Sequence, residues 1–323
     1  MNLTGFMNGG IDNIAHTAAR FYLNNRKGQT FMLKLTTTLR KGAQIRERYE
    51  KEGVHIPPFL IASVASDCNL RCAGCYARAN GSCSDEKEKG QLEATDWRRI
   101  FKEASDLGIS FILLAGGEPL LHRDIITTAA EFDRIAFPIF TNGTLINDDY
   151  LNLFDRHRNL IPVVSIEGSD GQTDGRRGKG ISEKIWKTVG TLKDMGILYG
   201  VSITVTAMNK EIVTERSFVD DLRNRGCGLI VYVEYVPVEE NTEELILSEE
   251  DLAVLKTRIE TLRNHKQNKG MIMLSFPGDE DSMGGCLAAG RGFFHINPKG
   301  DAEPCPFSPV SEMNLKEESL VTV

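Results

Sequence analysis

Three cysteines, Cys68, Cys72 and Cys75, fall within eight residues in the stretch CNLRCAGCY, spaced C-x3-C-x2-C. Thiolates packed onto one short loop suit an iron–sulfur cluster, and such clusters ordinarily take four cysteine ligands. A four-iron cluster gripped by this triplet keeps one iron open to a non-protein ligand, and that open iron is where chemistry would happen. A structural zinc site is the competing reading. Zinc knuckles usually pair two C-x2-C units, whereas this triplet is asymmetric, with only Cys83 nearby as a fourth thiol. A second motif, Gly116-Gly117-Glu118-Pro119, follows an apolar run about forty residues further on. Glycines directly after a strand let backbone approach a ligand closely, because they carry no Cβ. Glu118 adds a carboxylate.

The elements that must position these residues are legible as alternating apolar runs and amphipathic segments, the pattern of strand–helix units and a parallel sheet. Six strands are expected: Phe59 to Ser66, Phe111 to Ala115, Ala136 to Thr141, Pro162 to Glu167, Leu198 to Thr206 and Leu229 to Pro237. Helices are expected over Thr95 to Leu107, Arg123 to Ile135, Asp148 to Arg156, Ser182 to Met195 and Thr214 to Arg225. Thr95, Asn147 and Ser182 offer capping oxygens at their starts. Units in this order close into a barrel or part of one, with working loops at the C-terminal ends of the strands. The cysteine loop follows the first strand and GGEP the second, so both motifs belong to one rim.

Composition bounds the rest. At 323 residues with a formal net charge of -7, the chain can bury a full core and lacks the basic footprint of a nucleic-acid-coating protein. The expected domains are a helical, basic extension over 1–56, a barrel over 57–240, a linker helix over 241–269 (Ser248 to Asn268 the helix itself) and a tail over 270–323 holding Cys286 and Cys305. No apolar run approaches the roughly twenty residues of a membrane span, and the N-terminus lacks a basic region followed by an apolar one. Seven cysteines, three of them clustered, fit metal binding in a reducing compartment better than a disulfide framework. The chain reads as cytoplasmic.

Together, CNLRCAGC and GGEP resemble the radical S-adenosylmethionine superfamily, over roughly residues 58 to 310. The resemblance implies a partial (β/α)6 TIM-like barrel of the α/β class with a small cluster-binding tail. Its cofactors would be a [4Fe-4S] cluster on Cys68, Cys72 and Cys75 and S-adenosylmethionine, cleaved reductively to an adenosyl radical that takes a substrate hydrogen. By position, Gly116, Gly117 and Glu118 would engage the cofactor's methionine end, Tyr76 the adenine, Ser165 and Glu167 the ribose and Arg177 the carboxylate. Glu167 departs from the commoner Asp. No catalytic residue beyond the cluster is assigned. The segment from Cys286 to Cys305, with Gly300 in a G-x4-C spacing, resembles the opening of a twitch or SPASM extension, which implies a second iron–sulfur cluster. Full versions continue with further cysteines, whereas none follows Cys305; Cys83 is the remaining candidate ligand.

The implied partners are a reductant such as flavodoxin or ferredoxin and a substrate that is a peptide or protein side chain. A lipid or small metabolite, or a non-catalytic electron carrier, are the alternatives. His295, between the tail cysteines, either faces the substrate cavity or packs. In the N-terminal extension Ile14, Ala18, Phe21, Tyr22, Phe31 and Leu33 alternate with cations, which suits packing on the parent domain or peripheral membrane contact.

Overall fold

All six expected strands are present in the computed structural model, which describes residues 26–238 and 242–323, and the sheet continues beyond them at both edges. The strands are β1 (Phe59–Ala65), β2 (Phe111–Gly116), β3 (Phe137–Thr141), β4 (Leu160–Ile166), β5 (Gly200–Val205) and β6 (Leu229–Glu234). Each pairs in parallel with the next. A further parallel strand, β7 (Ile272–Phe276), lies outside β6. On the other edge β8 (His295–Ile296) pairs in parallel with β1, and β9 (Ala302–Glu303) pairs antiparallel with β8. The order β7-β6-β5-β4-β3-β2-β1-β8-β9 is an open α/β barrel of nine strands. β7 and the β8–β9 pair were hidden in the sequence because they are short and sit among Gly and Pro.

Most of the helices cover the outer face. The helices are α1 (Arg26–Lys51), α2 (Tyr76–Ala79), α3 (Ala94–Asp106), α4 (Arg123–Ala130), α5 (Asp148–Arg156), α6 (Asp170–Arg177), α7 (Ile181–Asp194), α8 (Lys210–Val213), α9 (Arg216–Asn224) and α10 (Glu249–Asn264). Asn147 caps α5 as expected, accepting from Tyr150 N at 3.1 Å. Ser248 caps α10, which ends at Asn264 rather than Asn268. Two expected caps move. Glu93, not Thr95, caps α3 in a reciprocal box with Asp96. Ser182 lies inside the first turn of α7 and donates to Asp170 at 2.5 Å. Sequence reading also missed α6. Its S-x-x-Q box, Ser169 with Gln172, was available, but Gly171 and Gly175 weaken the helical signal.

Alternation along each strand sorts side chains between two faces. Leu60, Ala62 and Val64 of β1 and Ile112 and Leu114 of β2 join Trp97 and Phe101 of α3 in the helix-side core. That core runs without a break into Leu255 and Ile259 of α10, Met273 of β7 and Ile296 of β8. Inside, Phe293 stacks on Phe59 of β1 and meets Phe276 of β7 edge-on, with ring centroids at 5.2 and 5.9 Å. α1 closes the bottom. Its Phe31, Met32, Leu35 and Leu39 pack on Ala136, Ile161 and Leu198 at the starts of the strands, while Lys27 and Lys34 pair with Asp155 and Asp133. Leu33 points outward, 74% exposed. Ile14, Ala18, Phe21 and Tyr22 lie outside the described residues.

Candidate active site

The cysteine loop leaves the C-terminal end of β1 and is tied down on every side. Cys68 N donates to Ser84 O at 3.1 Å, so the strand end is shadowed by the segment that carries Cys83. Arg78 folds back over the loop, donating to Leu70 O at 2.8 Å and Cys68 O at 3.2 Å, and pairs with Asp85 at 2.9 Å. Arg176 reaches the loop from α6, donating to Ala73 O at 3.0 Å. The thiols are not equivalent. A hydrogen bond from Cys83 brings Cys68 down to about 6, while the same bond and burial hold Cys83 well above an ordinary thiol. Burial pushes Cys72 up against the pull of Arg177 and Arg176. Arg177 Nη1 lies 3.9 Å from Cys72 Sγ. The donor set is thus three free thiols on a cation-lined loop, which fits a cluster of net negative charge. Among the described residues no three His, Cys, Asp or Glu side chains close on a single-ion position.

Gly116 and Gly117 permit a close approach within the chain itself. A Cβ on Gly116 would lie 2.3 Å from Ala65 O, and one on Gly117 2.1 Å from Asp67 O. The backbone uses that proximity: Gly117 N donates to Ala65 O at 2.7 Å and Glu118 N to Asp67 O at 2.8 Å. The two motifs are stitched together, main chain to main chain. Glu118 is buried, and its carboxylate accepts from Leu120 N, Thr141 Oγ1 and Asn142 N at 3.1, 2.7 and 2.7 Å. The side chain therefore joins the ends of β2 and β3. Asn142 continues the chain to Asn69 at 2.8 Å, a link that sequence reasoning missed. His122 likewise bonds Asp67 at 2.6 Å.

Glu167, just past β4, is the second hub. Its Oε1 accepts from Arg176 Nη1, Arg177 Nε and Arg177 Nη2 at 2.6, 2.8 and 2.6 Å. Arg176 also donates to Thr204 on β5 at 3.0 Å. The other oxygen, Oε2, is buried without a hydrogen-bond partner among the described residues. A buried acceptor without a donor is costly, so it fits a hydroxyl-bearing ligand. Sequence reading chose Arg177 and passed over Arg176, because two adjacent arginines beside glycines look like a solvated loop. Ser165 is half-buried on the inner face of β4. Tyr76 follows Cys75 and meets Phe307 of the tail edge-on at 4.9 Å, so the tail covers this side of the rim.

Of the tail cysteines, Cys305 lies close to Tyr76, the residue after Cys75. Cys286 is exposed and Cys305 half-buried; burial, with Cys286 and Glu280 close by, raises the Cys305 thiol. Cys83 lies against Gly117 and Cys68. Two thiols fall short of the four a cluster ordinarily takes.

An open α/β barrel with a three-cysteine loop after its first strand, stitched to a Gly-Gly-Glu turn after its second, defines an iron–sulfur enzyme class. Residues 63–222 match the Radical SAM superfamily profile, and the chain belongs to that superfamily. It is 24% identical over 289 residues to the AdoMet-dependent heme synthase of Methanosarcina barkeri, covering 81% of this chain and 80% of that one. It is 22% identical to the sporulation killing factor maturation protein SkfB of Bacillus subtilis, covering 83% of this chain and 65% of that protein. The crystal structure of Streptococcus suis SuiB bound to precursor peptide SuiA superposes with a TM-score of 0.69 at 20% identity, over 88% of this chain and 68% of that one. The chain is a radical SAM enzyme, with S-adenosylmethionine and a [4Fe-4S] cluster as its cofactors.

Proposed function

We propose that the chain modifies a peptide or protein side chain, holding its cluster on Cys68, Cys72 and Cys75 and S-adenosylmethionine along the rim from Gly116–Glu118 to Glu167. The observation that carries the site is the main-chain stitching of the Gly-Gly-Glu turn to the residues just before Cys68. When bound, the cluster supplies the electron that cleaves the sulfonium, and the adenosyl group so released removes a substrate hydrogen. The residues do the rest. The backbone at Gly117 presents polar groups beside the loop, Arg177 balances charge at Cys72, and Glu167 Oε2 accepts a hydroxyl, while Tyr76 and Phe307 exclude water. The peptide reading is supported by relatives whose names concern peptides, namely SkfB as a maturation protein and SuiB with its precursor peptide. A small metabolite is the second reading, supported by the heme synthase. A flavodoxin or ferredoxin as reductant and a cytoplasmic setting belong to the same proposal, supported by seven free cysteines.

A second cluster on Cys286 and Cys305 needs ligands beyond these two, and iron content decides it. Anaerobic iron and sulfide analysis with electron paramagnetic resonance, with and without S-adenosylmethionine, is the test. About four irons, a cofactor-sensitive signal and loss of both in the Cys68, Cys72, Cys75 triple alanine variant are expected. About eight irons with roughly four surviving in the variant would establish the second cluster. No cofactor-sensitive signal would sink the site.

A further inference from the structure

Strand register places an acid–base group on the inner wall of the barrel that the cofactor site does not use. Ala62 and Ile296, paired across β1 and β8, both face the helix-side core. Their neighbours Ile61 and His295, paired one position earlier, therefore face the lumen. Glu303 is opposite His295 across β8 and β9, and Ser63 lies two residues beyond Ile61, on the same face. The three side chains bond in line. Ser63 Oγ is 2.8 Å from His295 Nε2, and His295 Nδ1 is 2.7 Å from Glu303 Oε2. Glu303 is fixed in turn by Asn297 Nδ2 at 2.7 Å, which also donates to Asp301 at 2.9 Å. All three are buried, at 6%, 4% and 6% exposure.

The hydrogen-bond roles follow from the groups. An ionised carboxylate only accepts, so Glu303 holds a proton on Nδ1 and leaves Nε2 to accept from the Ser63 hydroxyl. We propose that Ser63, His295 and Glu303 form a proton-accepting site for an N–H or O–H group of the substrate in the lumen. This rests on the radical SAM reading, which makes the lumen beneath the rim the substrate space. The substrate proton passes to Ser63 Oγ as the Ser63 hydroxyl proton passes to His295 Nε2. The substrate keeps the bonding electron pair, the imidazolium is neutralised by Glu303, and no oxidant or reductant is consumed. Ser63 touches the substrate; His295 and Glu303 act through it. The substrate class is one whose conversion includes deprotonation at nitrogen or oxygen, as a peptide amide or hydroxyl side chain allows.

The first test needs no substrate. In the full chain labelled with 15N-histidine, with His295 identified by its absence from His295→Gln, the imidazole is expected as the Nδ1–H form, and Glu303→Gln should mix the tautomers. A resident imidazolium, or a Glu303→Gln variant whose His295 tautomer is unchanged, overturns the proposal. With a peptide that the wild type converts, His295→Gln and Ser63→Ala should still move deuterium from labelled peptide into 5′-deoxyadenosine while product falls roughly a hundredfold. Loss of both signals together marks a packing role and overturns it. Because the first measurements stand without a peptide, failure of the peptide reading is told apart from failure of this one.

Discussion

At the scale of single residues, Glu118 shows how a motif side chain can serve the scaffold. Burial pushes its carboxyl from 4.5 up to about 7, against hydrogen bonds from Thr141, Asn142 and Leu120 that pull it down. A carboxyl raised in the folded state binds more protons folded than unfolded. Its stabilising contribution is therefore present below the unfolded value and is lost as pH rises through about 7. Glu118→Gln should abolish that slope while turning an amide N–H₂ toward one of the backbone donors, costing about 1–3 kcal/mol at acid pH. Anaerobic urea unfolding of the apo chain at acid and alkaline pH checks it: the gap between wild type and variant should narrow as pH rises, and a constant gap would contradict it. The sequence disclosed that these residues matter through their types and order. It did not disclose that Gly117 lies against Asp67, because that contact depends on two strands meeting.

At the scale of elements, α1 is a floor for the barrel. Leu35 is 3% exposed in a cluster with Ala136, Ile161 and Leu198, and two lysines of the same helix are paired with barrel aspartates. Leu35→Ala should cost about 2–4 kcal/mol through the cavity it leaves, read as a lower urea midpoint with unchanged iron per chain. A membrane-lying helix would instead lose vesicle binding with no change in stability. None of the helices among the described residues is long and apolar enough to cross a membrane. Strands β1 to β6 were legible because each is a run of apolar residues bounded by turn formers. α6 was not, since its two glycines disguise the helix that brings Arg176 and Arg177 to Glu167. Residues so placed are found by asking which cations can reach a buried acid, a question that needs the fold.

At the scale of the whole molecule, the barrel, α10 and the tail share one core, from Leu60 through Leu255 to Ile296 and Leu315. Calorimetry of the apo chain should therefore show a single cooperative transition. Two resolved transitions, one assignable to residues beyond about 270, would refute that continuity. The tail's role was only partly visible beforehand: Cys286, Gly300 and Cys305 stood out, yet the strand that grips β1 is two residues long. Its anchoring is tertiary, through the pairing of β8 with β1 and the core shared by Ile296 and Leu315.

The sheet's edge strands, β7 and β9, stand at opposite ends of the strand order, and Phe276 at the end of β7 meets Phe293, just ahead of β8, ring to ring. A seam of rings parts by rotamer changes, whereas a backbone ladder must surrender its hydrogen bonds. The two edges can therefore part without loss of backbone pairing, giving up ring contacts alone.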